Sequence, residues 1–132
     1  MPNEWHIEWS IIPYSRKNGN DARHEESNKL REKVQQIDAK SHEKNSVILL
    51  DERGELLSSL QFSQKLTSAM ATKEVIFVIG GAYGVDDDFR EKADLSLSLS
   101  RMVFPHQIAR LVLVEQIYRA FAISRNLPYH HE

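Results

Sequence analysis

The chain finishes on Pro128-Tyr129-His130-His131-Glu132, and imidazole is the side chain that exchanges a proton most readily near neutral pH. An aromatic ring beside two imidazoles is unexpected at a chain end, where frayed polar residues are the norm. A metal pair is disfavoured. Adjacent side chains in an extended segment point apart, and neither an H-E-x-x-H motif nor a third ligand accompanies them. An inert, solvated tail is the ordinary outcome, but the Tyr129 ring gains by docking on an apolar surface. A docked imidazole can serve as a general base.

Just upstream, Glu115 and Arg119 stand four residues apart, in the favourable order for a helical ion pair. Exposed, such a pair contributes roughly 0.3–0.5 kcal/mol. Partly buried, it fixes the helix against a partner chain or holds Arg119 ready for a phosphate. Arg110 and Arg119 are about two and a half turns apart and point in nearly opposite directions. They serve one small site only if two copies of the helix, one per subunit, bring them together.

Two other stretches have ligand-binding character. "VIGGAYG" sets Gly80, Gly81 and Gly84 just after an apolar run, where glycine lets a ligand approach the backbone. It is neither a P-loop nor a G-x-G-x-x-G fingerprint, and a plain tight turn fits the spacing as well. "LSLSLSRMVFPH" alternates serine with leucine, as a half-buried edge strand does. Its other reading is a segment whose backbone faces a ligand while apolar side chains line an adenine-sized pocket.

These residues need elements to position them. "HIEWSIIPY" reads as a strand ended by Pro13, and "SRKNGNDARHEE" as a loop with an Asn-Gly turn. Leu30, Val34 and Ile37 predict an amphipathic helix from about Ser27 to Ala39. "SVILLD" and "EVIFVIG" are continuous apolar runs, expected of strands buried on both faces, and "ERGE" reads as a turn. A helix from about Ser58 to Met70 turns Leu60, Leu66 and Met70 inward. "VDDDFREKAD" is a short helix with acids at its start, where they suit the dipole. The longest helical pattern runs from Pro105 to Arg125, with Ile108, Leu111, Val112, Tyr118 and Ala122 in one stripe. Strands alternating with helices predict an α/β fold, a mainly parallel sheet flanked by helices. Ligands in such sheets gather at the carboxyl ends of the strands.

Composition narrows the classes. The chain has 132 residues, net charge −2 and no cysteine. That is one domain's worth of chain. Thiolate catalysis and disulfides are excluded, and a global positive field for nucleic acid is absent, so any RNA contact relies on a local basic face. The first residues carry no apolar leader segment and no run reaches membrane-spanning length. A reducing cytoplasmic setting with no membrane or metal partner is expected.

Read in order, "LLDERGELLSS", "FVIGGAYGV" and "LSLSRMVFPHQIARLVLVEQIYRAFAISRNLPYHHE" resemble the RlmH family, strongly from Ile48 to Glu132 and weakly before it. These are SPOUT-class, trefoil-knotted methyltransferases that modify pseudouridine in large-subunit (23S) ribosomal RNA. The resemblance implies one SPOUT domain over residues 1–132, a deep knot and cofactor site over about 75–132, and a homodimer formed through the knot region. It implies S-adenosylmethionine as cofactor and N3 of a ribosomal pseudouridine as the methylated atom. The family's cofactor positions fall on Leu50, Gly80, Leu99, Ser100, Arg101, Met102, Val103 and Phe104. Its functional tail falls on Tyr129 and His130, with His131 where many members carry a basic residue, and Arg119 matches an active-site arginine. His130 is the expected base and His131 its substitute. Family members usually open with a further strand and helix, a unit that is expected to be missing here. The alternative is a knotted RNA-binding or ribosome-associated protein with lost or altered methyltransferase activity. A different RNA substrate, such as a tRNA base, is also compatible with fold and cofactor.

Overall fold

A computed structural model describes residues 5–131. The chain runs α1 (Gly19–Ser41), β1 (Ser46–Leu56), α2 (Ser59–Met70), β2 (Val75–Ile79), α3 (Asp87–Lys92), β3 (Leu95–Ser98) and α4 (His106–Ser124). The three strands form a parallel sheet in the order β2-β1-β3, the α/β architecture expected from the alternating runs. Alternate residues of the central strand feed opposite faces, because side chains in a strand point to alternate sides. Ile48 joins Phe62, Leu66, Leu97, Leu113, Ile117 and Ala120 on the face covered by α2 and α4. Val47 and Leu49 join Val78, Val85 and Phe89 on the other face, where Leu30 and Val34 of α1 pack.

Local chemistry accounts for the helix starts. Ser58 accepts from the Gln61 amide, and the Gln61 side chain accepts from the Ser58 amide. This reciprocal box satisfies two of the donors that a helix start leaves unpaired. Asp86 caps α3 through the Phe89 amide. Asn126, at φ 55, supplies the left-handed residue beyond α4.

Four expectations change. Residues 5–15 carry no strand: a strand needs a neighbour to hydrogen-bond, and the segment pairs with neither outer edge of the sheet, β2 or β3. The segment is held instead by Trp5 against Phe121 and by the Tyr14 hydroxyl, 3.0 Å from His106 Nδ1. Second, α1 begins at Gly19, eight residues before Ser27. Its first turns are held by polar contacts that hydrophobic periodicity does not register. Arg23 donates to the Tyr83 carbonyl, the Glu26 carboxylate accepts from the Ser15 amide, and Ser27 accepts from the Asp86 amide. Third, "ERGE" does not end β1. Residues 51–54 bulge out between two pairings of β1 with the same residue, Leu97. Fourth, α4 buries Leu113, Ile117, Ala120 and Ala122, while Ile108, Leu111 and Tyr118 are exposed. Both faces of α4 are apolar, so the residues alone do not say which one meets α2. Leu60 of α2 likewise lies toward solvent while Phe62 and Ser63 are buried.

The clamp between α1 and α3 has a pH signature. Arg31 donates to both carboxylate oxygens of Asp86, at 2.9 and 2.8 Å. The Arg31 hydrogen bonds, aided by the Phe89 amide, outweigh burial and hold Asp86 down at about 2, against an ordinary 3.8. A carboxylate depressed on folding contributes stability above its unfolded pKa and loses it as pH falls through the folded value. With both side chains mostly shielded, the contribution is of order 2 kcal/mol. Asp86→Asn keeps a good capping residue and removes the charge. Urea titrations between pH 4 and pH 2 should show wild type losing more stability than the variant. Parallel acid limbs would show that the pair is not linked to folding.

Candidate active site

The carboxyl ends of β1 and β2 and the segment after β3 enclose a cavity of about 210 Å³. Its walls include Leu50, Gly80, Leu99, Ser100, Met102, Val103 and Phe104. Those are seven of the eight residues that the resemblance assigns to the cofactor, and the fold brings them to one place. Arg101 is the exception, exposed and outside the lining. Serines shape the wall. Buried Ser98 donates to the Ser100 carbonyl, and the Ser100 hydroxyl accepts from the Met102 amide. The serine-leucine alternation thus belongs partly to strand β3 and partly to a backbone loop tied by hydroxyls.

The glycine segment is a tight turn and a cavity wall at once. The Gly84 amide donates to the Gly81 carbonyl at 2.9 Å, and Gly84 sits at φ 72. A side chain at Gly80 would press on the Gly84 backbone and Val85 at 3.2 Å. One at Gly81 would collide with the buried Glu26 carboxylate beneath the loop.

Asp51 and Arg90 also face the cavity, and Arg90 Nε donates to Asp51 Oδ2. Burial pushes the Asp51 carboxyl up, but the Arg53 amide and the Arg90 guanidinium outweigh it and leave it below the ordinary aspartate range. The sequence carried one clue to this pair, the acid closing "SVILLD"; nothing local pointed to Arg90.

The tail docks on α4. The Tyr129 hydroxyl donates to Glu115 Oε2 at 2.9 Å, and its ring stacks under the Arg119 guanidinium at 4.8 Å and against Tyr118. Arg119 donates to Glu115 Oε2 at 2.7 Å, completing the expected pair. Arg119 Nη1 lies 3.1 Å from His130 Nδ1. Guanidinium only donates, so Nδ1 accepts and the neutral ring carries its proton on Nε2. Arg119 holds Glu115 below the ordinary carboxylate range, and Glu115 in turn raises the Tyr129 phenol. His131 is exposed, and Glu132 lies outside the described residues. Gln116, not anticipated from sequence, links this group to α2: it accepts from Ser59 at 2.8 Å and donates to Glu115 at 3.0 Å.

The cavity and the tail cluster are separate within one chain. His106 and Ala109 of α4 line the cavity, whereas Arg119 stands ten residues beyond Ala109, roughly 15 Å along the helix. Neither Arg119, Tyr129, His130 nor His131 lines the cavity. Among the described residues, no three His, Asp or Glu side chains gather as a metal site, and no helix is long and apolar enough to cross a membrane.

Comparison with known proteins agrees with the resemblance noted above. A family described as "Predicted SPOUT methyltransferase" matches residues 1–130. The Ribosomal RNA large subunit methyltransferase H of Geobacter sulfurreducens is 54% identical over 87 residues, 64% of this chain and 57% of that protein. Its namesake from Bdellovibrio bacteriovorus is 48% identical over 87 residues, 64% of this chain and 56% of that protein. The namesake from Christiangramia forsetii is 43% identical over 129 residues, 95% of this chain and 79% of that protein. The chain thus spans little more than half the length of the first two. With a family match across nearly every residue and a relative aligned over 95% of the chain, this protein belongs to the SPOUT methyltransferase family.

Proposed function

We propose that the protein is an S-adenosylmethionine-dependent methyltransferase acting on N3 of a pseudouridine in large-subunit ribosomal RNA. The observation that carries this is the convergence of Leu50, Gly80, Leu99, Ser100, Met102, Val103 and Phe104 on one cavity. These are the positions that the family resemblance assigned to the cofactor, and the chain separates them by up to about two-fifths of its length. The lining suits an adenosyl group. Gly80, Gly81 and Gly84 leave the backbone bare, and Leu50, Ile79, Leu99 and Phe104 supply apolar walls.

When bound, the donor supplies an electrophilic methyl group on a sulfonium. The chain's own residues hold the acceptor base, keep water away and take the proton that N3 must lose. His130 is the proposed acceptor of that proton, with Arg119 and Tyr129 placing it. Because Arg119 occupies Nδ1 in this arrangement, the incoming base displaces that contact before the ring can accept a proton there.

Both halves of the site come together in a homodimer built on a trefoil-knotted C-terminal half. Met102, Val103, Ile108 and Leu111 are 74%, 76%, 43% and 65% exposed around the cavity mouth and the start of α4. Such an apolar patch is characteristic of an interface. A second copy seated there would carry its tail cluster toward the first copy's cavity. The work is placed in the cytoplasm, where ribosomes are assembled.

Ribosomes or large ribosomal subunits from a strain lacking the modification, incubated with this protein and labelled donor, should gain about one methyl group per particle. Nuclease digestion and mass spectrometry should place it on N3 of a pseudouridine. Donor bound by the protein with no methyl transferred to either ribosomes or large subunits would overturn the assignment.

A further inference from the structure

Resting on the methyl-donor reading of the cavity, we propose that the Asp51–Arg90 pair receives the charged α-amino-acid end of the donor. Most of the cavity wall is backbone and apolar side chain; its charged side chains are Asp51, Glu52 and Arg90. An adenine ring is satisfied by the first kind of surface. A zwitterion is not, because an ammonium and a carboxylate leaving water need charged or hydrogen-bonding partners.

The pair is built to provide them. The 51–54 bulge takes β1 out of the sheet just after Leu50 and lets Asp51 turn into the cavity. Arg90 reaches the same wall from α3. Its Nε donates to Asp51 and its Nη1 to Asp87 at 2.9 Å. Among the described residues, no hydrogen bond uses Nη2, so one donor of the fork is available to a ligand carboxylate. Asp51 is held in its charged form by its neighbours, and each of its oxygens keeps a second lone pair for an ammonium. Both side chains are largely shielded, 10% and 24% exposed. The contact is therefore weakly screened by salt. Arg90 is a binding and specificity residue in this scheme, and it does not touch the transferred methyl group.

The test is calorimetric and needs no turnover. S-adenosylhomocysteine carries the zwitterionic end; 5′-methylthioadenosine keeps the adenosyl group and lacks that end. Arg90→Gln should weaken S-adenosylhomocysteine roughly tenfold or more, the scale of a charge-assisted hydrogen bond lost in a shielded site. It should leave methylthioadenosine within about twofold, which also reports that the cavity is still folded. Arg90→Lys, which keeps the charge without the fork, should fall between the two. Loss on neither ligand, or equal loss on both in an Arg90→Gln protein that melts as wild type does, would overturn the amino-acid assignment while leaving the donor reading of the cavity standing. A wild-type protein that binds neither compound would overturn the donor reading itself and this inference with it.

Discussion

The His130→Ala protein is expected to bind the methyl donor as wild type does and to methylate ribosomal subunits at least about a hundredfold more slowly, in line with loss of a positioned proton acceptor. Donor affinity should stay within about twofold, since His130 does not line the cavity and its removal leaves the walls intact. A wild-type rate would end the assignment. The geometry makes a finer test available. Arg119 Nη1 sits 3.1 Å from His130 Nδ1, so the imidazole is held as well as poised. His130→Gln retains an acceptor for Arg119 but cannot take a proton at neutral pH. If His130 is the base, the glutamine variant is as slow as the alanine variant, and the acid limb of the wild-type rate profile disappears with it. A glutamine variant restored to near wild-type rate would assign His130 to holding the tail, and the rate would come from alignment of the methyl group with N3, which can supply a large share of a barrier reduction.

The second large effect concerns stability. Gly54 lies in the bulge where β1 doubles against β3, and a side chain there would meet the Ser96 carbonyl carbon and oxygen at 2.6 Å and the Leu97 amide nitrogen at 2.8 Å. All three are backbone atoms of the neighbouring strand, so no side-chain rotation relieves the contact. Gly54→Ala should cost about 2–3 kcal/mol or more, the range for overpacking a rigid site. Because the same bulge aims Asp51 at the cavity, donor binding should weaken in parallel. Gly19→Ala is the contrast. Nothing lies within 4 Å of its added carbon, and only φ 57 opposes it. Its cost is backbone strain of roughly 1–2 kcal/mol, with no effect on the donor. Denaturant melts of the two variants should rank them in that order. A Gly54→Ala protein as stable as wild type would show that β3 can move away and that the close approach constrains nothing.

These two variants mark how far the amino-acid sequence could be read. Val47 to Leu50 and Val75 to Ile79 are uninterrupted apolar runs and both form strands, but only central β1 is buried along its run, whereas β2 lies at the sheet edge and fully buries Val78 alone. Ser58 with Gln61 and Asp86 before Asp87 start helices by bonds spanning three residues, so α2 and α3 were readable too. The expected cofactor positions rest on motif resemblance, and the glycines at 80, 81 and 84 stand out because glycine lets a ligand approach the backbone. The failures share a different character. "HIEWSIIPY" has the composition of a strand and no strand beside it. The start of α1 is set by Arg23, Glu26 and Ser27, which reach Tyr83, Ser15 and Asp86. The two apolar faces of α4 are equivalent until α2 covers one.

By itself the sequence determined where the buried apolar strands lie, where α2 and α3 begin, and which family the chain resembles, because each of these depends on residues within a turn or two of one another or on a motif read in order. Only the tertiary structure decided which charged groups meet. Arg90 finds Asp51 across 39 residues and Arg31 finds Asp86 across 55, and the cavity is walled by segments from both halves of the chain. Coulombic and hydrogen-bonded pairing acts over a few ångströms of space with no regard for separation along the chain, so it becomes visible only once the strands and helices have been brought together.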